Sequence, residues 1–393
     1  MGGGLLQLVA YGAQDVYLTG NPQITFWKVS YRRYTNFSME AISQDFNGTA
    51  QLGGRVTCQI SRNGDLIHKM YLEITGVGLT NATCEAASYA MLNYVEVEIG
   101  GQRIDRHYGD WMFIWNKLTL PFGKFGGLSN LALTDGSLTA GGRHTVPLEF
   151  WFCRNPGLAL PLIALQYHEV KVNIQFEQQS KLTGGGGATQ YQIANATLWV
   201  DYIFLDTDER RRMAQNPHEY LIDQLQFTGE EALTGGTATS TATIRLNFNH
   251  PVKELVWVLQ ATDAAGANRF NRFVTMLDKP SCNLQLNGQD RFAKRSPEYF
   301  SIIQPLQSHS NVPMGDGFAT STNNTTPSNI NVYSFALRPE EHQPSGTCNF
   351  SRIDSATLNF QYDGTAVTRA RVYAVNYNVL RIMSGMGGLA YSN

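Results

Sequence analysis

The chain has 393 residues, of which 11% are aromatic and only 16% charged, with 37 glycines, 14 prolines and a net charge of −2. Such a length can bury two well-developed cores, but soluble proteins usually carry ~25% charged residues, so much of this surface is expected to be covered by neighbours in an obligate oligomer. No basic face is present to release counterions from nucleic acid, no stretch reaches the ~20 apolar residues that span a bilayer, and the N-terminus has neither a basic secretory leader nor a myristoylation pattern, since Leu6 stands where the pattern needs Ser or Thr.

Taken in order, Gly2, Gly3 and Gly4 open the chain, and Leu5, Leu6, Leu8 and Val9 form a short apolar cluster, a small helix or an arm that docks on something. Gly20, Asn21 and Pro22 interrupt it. From Ile24 the run ITFWKVSYRRYTNFSMEAI is rich in aromatic and β-branched residues and predicts a strand pair. Turn signals then recur about every ten residues, at Gly48, Gly53, Gly64, Gly76, Gly100–Gly101 and Gly141–Gly142, the rhythm of a β-sandwich or barrel. Two stretches predict helices: 84–92, capped by Asn81 or Thr83, and 108–118, which ends before Pro121. Four glycines at 184–187 predict a loose loop. The charged corner 206–213, followed by Pro217, reads as a domain boundary, with Arg210, Arg211 and Arg212 pairing the adjacent acids. The second half resumes at Tyr220, is interrupted by polar loops at 261–268 and 307–331, and closes on a strong strand with a glycine-rich tail. Cys58, Cys84, Cys153, Cys282 and Cys348 are odd in number, widely spaced and without a CxxC, which suits reduced, buried thiols in a cytoplasm.

The two halves echo each other. VEVEIGGQRIDR at 95–106 and CNLQLNGQDRF at 282–292 both alternate apolar and polar residues, then reach a Gly-Gly or Asn-Gly pair suited to a tight hairpin. Aligning Gly101 with Gly288 gives an offset of 187 residues. Further echoes keep their order: Phe46-Asn47-Gly48 with Phe227-Thr228-Gly229, 65–74 with 251–260, 162–176 with 347–360 (Phe176 matched to Phe360), and 196–210 with 370–382. One β module is written twice.

Catalytic constellations are sparse. His168-Glu169 and His218-Glu219 begin like zinc-protease motifs, but Val172 and Ile222 stand where a second histidine belongs, and His168 falls in an alternating strand pattern. Asp206, Asp208 and Glu209 suit a solvated, ion-paired corner better than a glycosidase pair. No GxSxG, phosphate loop or dinucleotide fingerprint occurs, and no enzyme activity, metal or cofactor is expected. Sequons stand at Asn36, Asn47, Asn81, Asn195, Asn323, Asn324 and Asn349; Asn323 and Asn324, in the polar loop, are the most exposed glycosylation candidates.

The N-terminal run MGGGLLQLVAYGAQDVYLTGNPQITFWK and YRRYTNFSMEAI resembles that of major capsid proteins from nucleocytoplasmic large DNA viruses, most closely the chlorovirus type among phycodnaviruses. ISRNGDLI, EIGGQRIDRHYGDW, PGLALPLIALQYHEVK, WVDYIFLDTDER, NPHEYLIDQLQFTG, QLNGQDRFAKR, QPSGTCNFSRIDSATL and NYNVLRIMSGMGGLAY extend the resemblance from end to end. It implies an all-β double jelly roll: two tandem eight-stranded sandwiches with short helices in the loops, divided as an arm (1–23), a first roll (24–212) and a second roll (213–393). It also implies a homotrimeric, pseudo-hexagonal capsomer that packs with neighbouring capsomers in an icosahedral virion shell assembled in the host cytoplasm. Minor capsid proteins and an internal membrane, touched only indirectly, would lie beneath, with Leu5, Leu6, Leu8 and Val9 in base contacts and covalent glycans on outer loops. Relatives tend to have longer second-domain loops than 261–271 and 362–370. A tandem lectin and a carbohydrate-active enzyme on Asp206 and Asp208 are the alternatives; a stable trimer favours the capsid reading, glycan binding the second, loss of activity on mutating those aspartates the third.

Overall fold

The computed structural model describes residues 2–77, 86–132, 142–179, 192–233, 236, 238–260, 273, 276, 281–314, 329–365, 367 and 369–391. It divides into two units, Met1–Asn36 and Phe37–Asn393.

The first unit holds two short helices, α1 (Gly3–Val9) and α2 (Val16–Thr19). The expected strand pair from Ile24 is not formed: only Phe37–Gln44 is a strand, and Ile24, Phe26, Trp27, Val29, Tyr31 and Tyr34 are exposed. Aromatic and β-branched residues favour a strand only where a neighbour offers a ladder and a packing surface, and 24–36 has no strand partner among the described residues.

The second unit is all-β. Its first half contains β1 (Phe37–Gln44), β2 (Arg55–Gln59), β3 (Leu66–Val77), β4 (Leu92–Ile99), β5 (Gln102–Tyr108), β6 (Arg143–Pro147), β7 (Leu160–Pro161), β8 (Val170–Phe176) and β9 (Gln192–Leu205). Its second half contains β10 (His218–Ala232), β11 (Ser240–Arg245), β12 (Pro251–Gln260), β13 (Asn283–Leu286), β14 (Gln289–Asp290), β15 (Asn331–Ser334), β16 (Cys348–Asn349), β17 (Ala356–Tyr362), β18 (Arg369–Met383) and β19 (Met386–Leu389). In the first half the sheets run β1-β9-β3-β6 and β2-β8-β4-β5; in the second they run β10-β18-β12-β15 and β11-β17-β13-β14. These are the same path taken twice, a jelly roll of two four-stranded sheets followed by another, with β7, β16 and β19 added at the margins. The fold is the double jelly roll.

The sequence echoes fall on equivalent strands. The opening pair is the β4–β5 and β13–β14 hairpins, turned by Gly100–Gly101 (φ 58 and 85°) and Asn287–Gly288 (φ 52 and 79°), positive at both central residues as a tight hairpin requires. The β3–β9 and β12–β18 pairs each carry a bulge near the start, after Ile67 and after Val252. Three echoes sit out of register. The 65–74 and 251–260 echo is off by one, since the bulges match Ile67 with Val252. The ladders align Ile174, not Phe176, with Phe360, since Ile99 and Leu286 close the two hairpins and pair with Val170 and Ala356. A slip of two keeps every side chain on its face, so periodicity cannot detect it. Phe46 follows β1, whereas Phe227 is still inside β10.

Helices fill the connections: α3 (Ala87–Ala90), α4 (Gly109–Thr119), α5 (Phe122–Leu131), α6 (Trp151–Arg154), α7 (Thr207–Gln215) and α8 (Gln304–Ser308). α4 closely matches expectation. Of the helix expected over 84–92, residues 84 and 85 lie outside the described residues, only 87–90 is helical, and Leu92 already begins β4. The glycine-rich tail is ordered, since Ser384 and Gly385 (φ 53 and 79°) fold β19 back on β18.

One apolar core lies inside each roll. The second is built from Leu255, Trp257, Leu259, Leu284, Leu358, Phe360, Val372 and Ala374. The first is continuous with Ile222, Val256, Val258, Val332, Tyr373 and Val375 of the second half. β12 and β18 therefore bury both faces, one against their own roll and one against the first. This is why β12 carries the unbroken apolar run LVWVL at 255–259.

Candidate functional site

The seam between the two rolls gathers buried aromatic rings and buried charge. At its centre Tyr373 packs against Trp111 (5.2 Å between ring centroids) and Phe227 (4.8 Å), and Phe227 against Tyr108 (4.8 Å). Asp110, at the start of α4 and 1% exposed, accepts hydrogen bonds from the Arg371 guanidinium and the Tyr373 hydroxyl. Arg371 also meets Glu230 at 2.9 Å, and Arg369 meets it at 3.4 Å. Asp110 raises the Arg371 pKa above its ordinary value, and burial followed by Asp110 raises that of Tyr373. Both side chains thus keep their protons, and the buried carboxylate stays compensated.

Polar contacts continue along the seam. The Leu225 amide donates to Asp105 at 3.1 Å, and the Gln224 side-chain amide donates to the Ile104 carbonyl. Arg154 stacks over Trp115 at 4.1 Å and approaches Asp223 at 3.9 Å, where the buried Lys253 ammonium also donates at 3.1 Å. Asn311 reaches the end of α4, its amide donating to the Leu118 carbonyl at 3.0 Å and its side chain to the Lys117 carbonyl at 2.8 Å. Beside it the His309 ring, fully buried, lies 2.9 Å from both Glu254 and Glu340. Burial alone would lower its pKa, but Glu254 and then Glu340 override this and hold it up at about 9.

The tail closes the seam from its other end. The Tyr167 amide donates to the Gly385 carbonyl at 3.0 Å, and the Gly387 amide donates to His168 Nδ1 at 3.1 Å. His168 was expected within a strand; it precedes β8 and serves this contact instead. His218 opens β10 with Nε2 2.7 Å from the Met213 carbonyl oxygen. The charged corner is the helix α7, capped by Asp206, whose side chain accepts from the Thr207 amide at 2.8 Å. Arg212 pairs locally with Glu209, but Arg210 does not pair with the adjacent acids: it reaches across to Asp65 at 2.8 Å. A capping aspartate with two acids in the first turn is what a helix N-terminus stabilises, which leaves Arg210 to the buried Asp65.

Counting from the bulges, Tyr71 and Glu73 of β3 stand where Val256 and Val258 stand in β12, and Trp199 and Asp201 of β9 where Tyr373 and Val375 stand in β18. The second-roll set is buried in the seam. The first-roll set forms the outer face of its sheet: Trp199 is 37% exposed, Tyr71, Glu73 and Asp201 are half-buried, and Met39 on the neighbouring β1 is exposed. Glu73 pairs with Arg143 at 3.4 Å. One end of this face opens into a cleft of about 550 Å³ that includes Lys69, Tyr71, Trp115, Glu149 and Arg154, where burial lifts the Glu149 carboxyl to about 7. On the second roll, Ile303 and Leu306 of the α8 region are exposed, as are Lys294 and Arg295.

Of the residues nominated from sequence, Leu5, Leu6, Leu8 and Val9 lie on α1 and are 52, 62, 78 and 69% exposed. Asn323, Asn324 and the glycines at 184–187 lie outside the described residues. Sequence reasoning passed over Trp199, Tyr373, Asp110, Arg371, His309, Ile303 and Leu306. Trp199 had a signal, since in ATLWVDYIFL it alternates with the inward Leu198 and Val200 and so must point outward.

Residues 25–206 match the family model described as major capsid protein N-terminus, and residues 209–388 the one described as large eukaryotic DNA virus major capsid protein. The chain is 54% identical to the major capsid protein of Pyramimonas orientalis virus and 45% identical to that of Paramecium bursaria Chlorella virus 1, in each case over 100% of both chains. The latter alignment extends over 458 residues, more than the 393 present here, so that relative carries insertions. Among solved structures, a chain of the PBCV-1 virus capsid is similar with a TM-score of 0.78 and 41% identity, covering 94% of this chain and 100% of that one. The Faustovirus major capsid protein has the same fold at 14% identity, with a TM-score of 0.69 and coverage of 95% and 94%.

Proposed function

Because this chain belongs to the major capsid proteins of large eukaryotic DNA viruses, a structural component of the virion shell and not an enzyme, we propose that its working unit is a homotrimeric, pseudo-hexagonal capsomer that tiles an icosahedral capsid. The observation that carries this reading is the strand path repeated in both halves. Two similar rolls per chain give three chains six similar walls, so a threefold assembly presents a nearly sixfold outline to its neighbours.

In this reading the first roll comprises 24–212 and the second 213–393, with 1–23 as an arm. The exposed Leu5, Leu6, Leu8 and Val9 of that arm make contacts at the capsomer base, with neighbouring capsomers or minor capsid proteins. The underlying membrane is engaged only indirectly, the shell is assembled in the host cytoplasm, and outer loops, including Asn323 and Asn324, are where covalent glycans would be accommodated. Negative-stain micrographs of the purified protein test the reading: class averages with a hexagonal outline and threefold symmetry are expected, and single two-lobed particles at all concentrations would overturn it.

A further inference from the structure

The cleft of about 550 Å³ lies where β3, α4, α5 and α6 meet, and Glu340 of the second roll completes its wall. Its volume falls in the range of small-ligand sites. Lys69, Lys124 and Arg154 bring three cations to the wall and Glu149 and Glu340 two carboxylates, beside the rings of Tyr71 and Trp115. These charges do not cancel locally. Glu340 is held elsewhere, 2.9 Å from His309 and accepting from the Ser310 amide at 2.8 Å. Lys69 and Lys124 are exposed, and among the described residues neither forms an ion pair.

Arg154 is the group left wanting. Four-fifths of its side chain is buried, and its guanidinium stacks over Trp115 at 4.1 Å. The nearest carboxylate oxygens, on Asp223 and Glu149, stand at 3.9 and 4.0 Å, beyond hydrogen-bond reach. Among the described residues its Nε is buried without an acceptor. A guanidinium has five N–H donors to satisfy, and a buried charged donor without a partner is costly enough to need a reason.

We infer that this cleft binds a small apolar carboxylate, an aliphatic or aryl acid whose headgroup accepts hydrogen bonds from Arg154 and whose tail lies along Tyr71 and Trp115. The planar fork of a guanidinium matches the two oxygens of a carboxylate. Lys69 and Lys124 add attraction from the rim. Burial holds the Glu149 carboxyl up at about 7, which weakens the repulsion it exerts on an incoming anion. Because Glu340 belongs to the second roll and the other groups to the first, an occupant touches both rolls. The inference goes beyond the shell role and does not depend on the trimeric reading.

Isothermal titration calorimetry of the purified full chain with decanoate, kept below its micellar range at pH 8, tests this. Saturable binding of one decanoate per chain is expected. Decanol and decyltrimethylammonium, which keep the tail and lose the anion, should bind about tenfold more weakly or worse. Glu149→Gln removes the charge beside Arg154 and should tighten decanoate binding. Lys69→Gln and Lys124→Gln, both exposed changes, should each weaken it about two- to fivefold. Arg154→Gln should weaken it about tenfold or more; if that variant fails to fold, the other three decide. Decanol binding as tightly as decanoate overturns the inference, as does a wild-type chain with no saturable binding. Affinity unchanged in Glu149→Gln and both lysine variants means that decanoate sits elsewhere, and overturns it too.

Discussion

The two sheets β1-β9-β3-β6 and β10-β18-β12-β15 have one topology and opposite fates. The second is buried on both faces, between its own roll and the first; the first is buried on one. The side chains record the difference. Val256, Val258, Tyr373 and Val375 occupy the second sheet's outer face, and Tyr71, Glu73, Trp199 and Asp201 the equivalent positions on the first. A strand covered on both sides becomes a continuous apolar run, while one with a single covered side alternates. The first sheet's outer face is intermediate, too aromatic for plain solvent exposure and too charged for a core.

Paired substitutions at equivalent positions sharpen this comparison most. Tyr373→Ala empties a fully buried seam position and is expected to cost about 3–5 kcal/mol, read as a lower urea midpoint at matched protein concentration. Trp199→Ala, its counterpart, is expected to cost only about 1 kcal/mol in the same melt and to act chiefly on association. Similar losses at both positions would mean that the first sheet's outer face is already closed within the chain.

Asp110→Ala is expected to cost about 3–5 kcal/mol by leaving Arg371 and the Tyr373 hydroxyl without their buried partner. A far smaller loss in the same urea melts would show that the polar core of the seam is dispensable.

The seam also has a pH signature. His309 is held at about 9, above its ordinary 6.5. A raised folded-state value means that its contribution is complete below pH 6.5 and is lost as pH rises through about 9. Glu149, raised to about 7, has the same sign: its contribution is complete below its ordinary 4.5 and lost as pH rises through about 7. Thermal stability is therefore expected to decline as pH rises from 4.5 to about 9, Glu149 acting up to about 7 and His309 from 6.5 to about 9, and His309→Gln should flatten the upper part of that decline. An unchanged slope in differential scanning calorimetry would count against the network.

The hairpin turns give a smaller contrast. Gly101→Ala adds a Cβ that meets nothing within 4 Å and carries only the positive-φ penalty, about 1–2 kcal/mol. Gly100→Ala adds a clash with the His168 ring, which a Cβ would approach to 2.3 Å, and should cost clearly more in parallel melts. The smallest effect belongs to Arg381→Ala, since its 2.8 Å pair with Glu219 is more than half exposed at both ends; a change within about 1 kcal/mol is expected.

Much of the fold was legible because its signals are local. Alternation, paired turn glycines and their recurrence half a chain later identify the hairpins and the duplication. What was not legible depends on partners distant in sequence. The run from Ile24 has strand composition, but no strand among the described residues pairs with it. Arg210 sits among acids in sequence and binds Asp65 in space. His168 looks like a strand residue and instead receives the Gly387 amide of the tail. The register slip at Phe176 and Phe360 survives every periodicity test, because two residues complete a full period of a strand. The seam residues Asp110, Arg371 and His309 carry no motif; burial gives them meaning, and burial there is decided by the second roll. Hydrophobicity marked Leu5, Leu6, Leu8 and Val9 as a sticky segment, and only the resemblance named the capsomer base as what they touch.

Two similar rolls in one chain have a purpose beyond stability only if copies assemble through the surface the first roll leaves open. Size-exclusion chromatography with light scattering on the purified full chain measures this directly. A single species at three times 43.7 kDa is the result expected here. A wild-type chain that remains at 43.7 kDa across concentration would contradict it.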